Sequence, residues 1–252
     1  MTSSMRIVDL THPFDESTVH WPGDQAFSLR NDFDGLIGPD RYYYANTLTL
    51  SEHVGTHIDA PRHMNRDGLT VDQIPLERLI GPGVVIDAMR ECKKNRDCLL
   101  RPAVLTQWES RNGPIPSEAI VLFRTGHSRL LPNSARYLGT SGSNANAQSH
   151  LRFPGLHPET ARWLVDNRRV RAVGIDCPGI DPGNSTTFET HRILFAHNVP
   201  ALENLANLDQ LPPTGFTVFA LPLKIKGGSG APLRVIAVLD ADAEPESEEQ
   251  ND

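Results

Sequence analysis

Cysteine is scarce in this 252-residue chain, long apolar runs are missing, and basic residues hold no excess. Each absence excludes something. Cys92, Cys98 and Cys177 are too few and too irregularly spaced for a disulfide framework, which fits a reducing compartment, and Cys92 and Cys98 do not form a zinc-ribbon pair. No run of about 18 apolar residues exists to span a membrane. The start, Met1-Thr2-Ser3-Ser4-Met5-Arg6, lacks the apolar core of a signal peptide, so a soluble, cytoplasmic protein is expected. With 24 Lys and Arg against 31 Asp and Glu, there is no nucleic-acid footprint. No Gly-x-Ser-x-Gly elbow occurs, which argues against a serine hydrolase. Gly81-Pro82-Gly83 lacks the third glycine and following helix of a dinucleotide fingerprint, and there is no phosphate loop.

The net charge of −7 is localised. Residues 240–252 carry seven acids and no Lys or Arg; without them 24 acids face 24 basic residues. A neutral body, residues 1–239, is therefore expected to carry a disordered acidic tail, 240–252. The body has ample length for one domain with a sizeable core.

Twenty prolines and 19 glycines punctuate the chain, so many short elements are expected. Arg6–Leu10 reads as a first strand, and a turn-rich loop containing His20-Trp21-Pro22-Gly23-Asp24 follows. Gly83–Asp87 and Ala119–Arg124 are compact β-branched runs, read as buried strands. The segment around Arg101–Trp108 is partly helical. Residues 126–156, rich in Ser, Asn and Gly, read as a surface loop that suits a lid. A helix over Pro158–Asn167 leads into a strand over Val170–Asp176. Thr186 and Glu189 read as a capping box opening a helix to His197. Strands over Leu202–Leu205, Gly215–Leu221 and Leu233–Leu239 complete a mixed α/β arrangement, with central β-structure packed by a few helices.

The chemistry is concentrated in His53-Val54-Gly55-Thr56-His57-Ile58-Asp59-Ala60-Pro61-Arg62-His63, which holds three of the ten histidines. Imidazole and carboxylate together suit Zn(II), Mn(II) or Fe(II) with positions left open for water. From Thr47 onward the odd positions are polar and the even ones mostly apolar, Glu52 excepted. Period-two alternation predicts one long strand, Thr47–Asp59, with His53, His57 and Asp59 on one face. A helix would also join His53 to His57, but Gly55, three β-branched residues and Pro61 disfavour it. His63 follows the turn at Pro61. Later in the chain, His191 and Glu203 stand twelve residues apart, and by itself Glu203 reads as a solvated carboxylate.

The eleven-residue segment resembles the His-x-Gly-Thr-His-x-Asp-x-Pro-x-His signature of the metal-dependent cyclase family, which includes bacterial kynurenine formamidases and isatin hydrolases. Trp21-Pro22-Gly23-Asp24, Gly174-Ile175-Asp176 with Asp181, and Leu221-Pro222-Leu223-Lys224 resemble further segments of that family. The likeness runs from Asp9 to the last strand. It implies a swivelling β/β/α-type domain and, from resemblance alone, a homodimer or larger oligomer. It also implies that His53, His57 and Asp59 hold a first ion, and that Asp59 bridges to a second ion completed by His191 and Glu203. Mn(II) or Zn(II), one or two ions, fits these ligands. His63 would be the general acid/base, and Trp21, with Phe188, would stack on a small aromatic amide substrate. Gly55-Thr56-His57 and the run Leu202–Asp209 look closer to isatin hydrolases, so the expected reaction opens a cyclic aryl amide, isatin to isatinate. Deformylation of N-formylkynurenine, in tryptophan catabolism, is the alternative. A non-catalytic metal protein and a metal-dependent lyase are further ones.

Overall fold

The computed structural model describes residues 6–239, so the expected acidic tail lies outside the described residues. In chain order the first elements are β1 (Arg6–Asp9), β2 (Ser28–Ile37), β3 (Arg41–Thr49), β4 (His57–Asp59), α1 (Leu76–Leu79), β5 (Ile80–Asp87) and α2 (Met89–Cys92). Next come β6 (Leu99–Leu100), α3 (Ala103–Asn112), β7 (Ile120–Arg124), α4 (Ser134–Leu138), β8 (Gly155–Leu156), α5 (Pro158–Arg168) and β9 (Ala172–Ile175). The last are α6 (Glu189–Ala196), β10 (Ala201–Glu203), β11 (Phe216–Pro222) and β12 (Gly230–Leu239).

Eight strands form one sheet in the order β1-β12-β11-β5-β7-β9-β10-β4, and β12 pairs again with β4. That second pairing bends the sheet into a barrel-like ring. Its middle is parallel, β5 to β7 to β9 to β10, and its closing pairs are antiparallel. The apolar runs Val84-Val85-Ile86 and Ile120-Val121-Leu122-Phe123 occupy this middle because both of their faces are covered. Alternate residues serve different cores. Val84, Ile86, Val121 and Phe123 pack with Trp108, Leu164 and Leu194 from the helices. Val85, Ile120 and Leu122 pack with Ile58, Leu202 and Val218. The mixed α/β class with a central sheet and flanking helices is therefore the observed one.

Three expectations need correcting. The long strand Thr47–Asp59 is two strands separated by a turn: β3 ends at Thr49, and β4 begins at His57. Gly55 lies in left-handed conformation (φ +57°), where a Cβ would sit 2.8 Å from Phe14 Cζ, so extended backbone cannot run through it. The alternation before it belongs to an exposed β2–β3 hairpin with neither face buried. The capping box is also absent. Helix α6 starts at Glu189 after Phe188, itself left-handed (φ +48°), and its first N–H groups are satisfied from outside the helix. Finally, residues 126–156 are not a surface loop. Between the Ser, Asn and Gly residues lie Tyr137, Leu151 and Phe153, all fully buried, with α4 and two 3-10 turns among them.

Candidate metal centre and its pocket

Strand β4 is only three residues long, yet it holds two of the expected donors. His57 and Asp59 are two apart and project from the same face. Antiparallel pairing sets Glu203 of β10 directly opposite His57, and directly opposite residues share a face. Three donors are thus fixed by register alone. His53 arrives from the turn before Gly55 rather than from a strand. Its ring rests against Gly230 of β12, where an added Cβ would come within 2.6 Å of His53 Cε1. His191 comes from the first turn of α6.

Asp59 is the common partner. Its Oδ1 lies 2.6 Å from His53 Nδ1 and 3.1 Å from His57 Nε2, and its Oδ2 lies 3.2 Å from His191 Nε2. Glu203 lies 3.2 Å from His191 Nε2 and 3.5 Å from His57 Nε2, and it accepts the Ile180 N–H at 2.7 Å. Two donor sets result, His53-His57-Asp59 and Asp59-His191-Glu203, each with its atoms within 4.8 Å of one another. All these residues except the half-buried His53 are at most 4% exposed.

Burial opposes charge on His57, Asp59 and His191, and the way they compensate is informative. Burial pushes the His57 imidazolium down, but Asp59 and Glu203 outweigh it and raise the pKa to about 9. His191 is likewise raised despite burial, by Asp181, Asp59 and Glu203. Burial would raise the Asp59 carboxyl, yet the surrounding histidines hold it well below the carboxylate range. Among the described residues, no Lys or Arg pairs with Asp59 or Glu203. Buried carboxylates need a cation. Here only the imidazoles supply one, and they turn their nitrogen atoms to a common centre. That donor chemistry fits a divalent ion.

Asp181 is a further candidate that spacing did not single out. Its Oδ1 accepts the Thr190 N–H, and its Oδ2 accepts both the His191 N–H and His191 Nδ1, at 3.0, 3.0 and 2.6 Å. One carboxylate therefore caps α6 and directs His191 Nε2 at Asp59 and Glu203. Its place in the segment resembling the family's was the available signal; its partner lies ten residues on.

His63 closes a short 3-10 turn after Pro61. Its ring lies 4.0 Å from that of His53 and 6.3 Å from that of His191, centroid to centroid. Burial lowers its pKa to about 4, and the neighbouring imidazoles add to the effect. All the expected site residues border one cavity of about 310 Å³, including Trp21 and Phe188 on its wall. Trp21 packs against Phe188 and Phe153 at 6.4 and 6.2 Å. His20 also borders the cavity; His12 does not. Leu138 and Gln148 join the wall from the 126–156 segment, and Gln148 Nε2 donates to the Pro22 carbonyl at 2.9 Å.

Convergent imidazole and carboxylate donors at the floor of an aromatic-walled cavity, with one more imidazole beside them, define a metal-dependent hydrolase. Residues 8–182 match the family described as "Putative cyclase", and the chain belongs to that family. The isatin hydrolase of Roseibium aggregatum is 32% identical over 207 residues, 79% of this chain and 76% of its own. The kynurenine formamidase of Salinibacter ruber is 30% identical over 237 residues, 92% of this chain and 97% of its own. The solved structure of isatin hydrolase A from Ralstonia solanacearum shares 37% identity with a TM-score of 0.85, over 94% of this chain and 92% of that one.

Proposed function

We propose that this chain opens a neutral cyclic aryl amide by hydrolysis, isatin to isatinate, with His63 as the general acid/base. The observation that carries this reading is the cavity wall. Trp21, Phe188, Met64 and Leu138 offer apolar and aromatic surface, and no Lys or Arg borders the cavity among the described residues. A flat uncharged lactam needs no counter-cation. N-formylkynurenine carries an amino-acid carboxylate that would find none. Deformylation is the second reading, supported by the likeness to a kynurenine formamidase across 92% of the chain.

In this reading His53, His57 and Asp59 would hold one ion, and Asp59 with His191 and Glu203 would serve a second. Mn(II) or Zn(II) suits such nitrogen and oxygen donors. When bound, a divalent ion would make water more acidic and polarise the scissile carbonyl. Trp21 and Phe188, packed on each other at 6.4 Å, form one aromatic wall against which the aryl ring rests with its carbonyl over the donors. His63, held neutral by burial, takes the proton of the attacking water and passes it to the leaving nitrogen. The wall's apolar residues keep other water away.

A homodimer belongs to the same proposal. The β2–β3 hairpin exposes Leu36, Tyr42, Tyr44 and Leu48 on one face and Ile37 and Tyr43 on the other, each 44–65% exposed, apolar surface that a second copy of the chain would cover. So does a reducing, cytoplasmic setting, supported by three buried and unbridged cysteines. Among the described residues, no helix is long and apolar enough to cross a membrane.

The test is metal-analysed protein assayed by absorbance with isatin and with N-formylkynurenine, each with and without added Mn(II) or Zn(II). Faster metal-dependent loss of isatin supports the proposal. Preference for N-formylkynurenine moves the chain to the second reading. Inactivity on both with metal bound rejects both. In the active case His63→Ala lowers kcat about 10²- to 10⁴-fold with metal content unchanged.

A further inference from the structure

Beside the donors, reaching the cavity wall at Asn204, lies a buried hydrogen-bonded group to which the proposed reaction gives no part. It centres on Asn204, the residue after Glu203, which is 4% exposed and left-handed (φ +55°). Every polar group of this residue is engaged. Its N–H donates to the Cys177 carbonyl at 2.9 Å, and its carbonyl accepts Thr56 Oγ1 at 2.7 Å. Its side-chain Nδ2 donates to the Gly55 carbonyl at 2.8 Å. The Tyr137 hydroxyl lies 3.0 Å from its Oδ1 and 3.2 Å from the Asp176 carbonyl. The amide can be oriented only this way: reversed, its oxygen would face the Gly55 oxygen.

That Gly55 carbonyl has a second donor, His57 Nδ1, at 3.0 Å. A carbonyl oxygen accepts two hydrogen bonds, so Asn204 and His57 together fill it. With its proton held on Nδ1, His57 presents Nε2 towards Asp59 and Glu203. The acceptor that sets the tautomer of a ligating histidine is itself held by Asn204, and Asn204 is held by Tyr137. These three residues come from the end of β10, the Gly55 turn and the 126–156 segment, far apart in the chain.

We infer that Asn204 and Tyr137 are positioning residues for the metal site, acting in series through the Gly55 carbonyl on the orientation of His57. The inference rests on the proposed ligand set. Asparagine suits the position for two reasons: it tolerates left-handed backbone, and it offers a donor and an acceptor at once. Aspartate would set an oxygen against the Gly55 oxygen.

The variants that test this are Asn204→Gly, which keeps the left-handed backbone and removes the side chain, Tyr137→Phe, which removes one hydroxyl, and the pair combined. Each is stripped of metal, and its affinity for Zn(II) is measured by competition with a chromophoric chelator, alongside thermal melting of the metal-free protein. Asn204→Gly should weaken Zn(II) binding about 10- to 100-fold, as loss of an outer partner of a ligand does. Tyr137→Phe should weaken it about fivefold, roughly one hydrogen bond. The combined variant should bind no more weakly than Asn204→Gly, because the two residues act in series. Zn(II) affinities within about twofold of the wild type, with only the melting temperature lowered, would assign the group to packing and overturn the inference. Effects that add in the combined variant would overturn the serial arrangement. Failure of the wild-type protein to bind Zn(II) would overturn the ligand set itself, and this inference with it.

Discussion

Replacing Asp181 with asparagine changes one atom at the bend between two structural duties. The carboxylate accepts three hydrogen bonds, two from the backbone at the start of α6 and one from His191 Nδ1. An amide has one oxygen, so either orientation of the substituted side chain brings an NH₂ against a donor. If it meets Thr190, a buried N–H loses its acceptor, at about 1–3 kcal/mol of stability. If it meets His191, Nδ1 can keep a partner only by giving up its proton. The imidazole then carries its proton on Nε2, the nitrogen aimed at Asp59 and Glu203, and is lost as a ligand. Outer-partner loss of this kind weakens metal affinity about 10- to 100-fold, or about 1.4–2.8 kcal/mol. Asp181→Asn should therefore either weaken Zn(II) binding, measured by chelator competition, or lower the urea midpoint of the metal-free protein, according to which donor the amide faces. Unchanged affinity together with an unchanged midpoint would refute both duties assigned to Asp181.

Three further outcomes follow from the same geometry. His127 is 6% exposed, and burial lowers its pKa from 6.5 to about 4. A histidine buried neutral supports the fold above pH 6.5 and loses that support as pH falls towards 4, which amounts to about 2.5 kcal/mol at pH 4.5. Urea unfolding of wild type and His127→Gln at pH 7 and 4.5 should show the variant losing less; equal losses would refute this. In chelator, the raised His57 gives the opposite sign: its contribution is complete below pH 6.5 and is lost as pH rises through about 9. The urea midpoint of metal-free protein should fall over that window, less so in His57→Gln, and a flat midpoint would show that the carboxylates do not hold His57 charged. Trp21→Ala should raise KM for isatin roughly 2- to 10-fold, the value of one aromatic contact, with a smaller change in kcat. An unaltered KM would remove Trp21 from the substrate wall.

Residue type carried the site further than periodicity did. His53, His57, Asp59 and His63 were legible because the signature segment holds them within eleven positions, although the strand invoked to align them breaks at Gly55. Glu203 looked ordinary in sequence because its meaning is its register opposite His57, a pairing between residues from opposite ends of the chain. The roles proposed for Asn204 and Tyr137 rest on hydrogen bonds between segments far apart in the chain, which leave no local pattern. The β2 strand escaped because both of its faces are exposed, so no alternation of burial marked it. In 126–156 the composition of the linking residues concealed buried anchors. The central strands β5 and β7 were legible for the converse reason: both faces are covered, and unbroken apolar runs say so.

The return of β12 to β4 bears on when the protein can take up its ion. Asp59 is paired across to Ala201 on one side and Gly230 on the other, so its strand is held only by segments made late in synthesis. A growing chain exposes the signature segment early, but with two of its five donors missing and both edges of β4 bare. Metal binding at such a site adds its free energy to folding only after the ring closes, and closure is a slow, long-range step. On the proposed ligand set, metal capture then belongs to the end of folding, and an ion offered to the nascent chain meets His53, His57 and Asp59 before any strand pairing holds them in place.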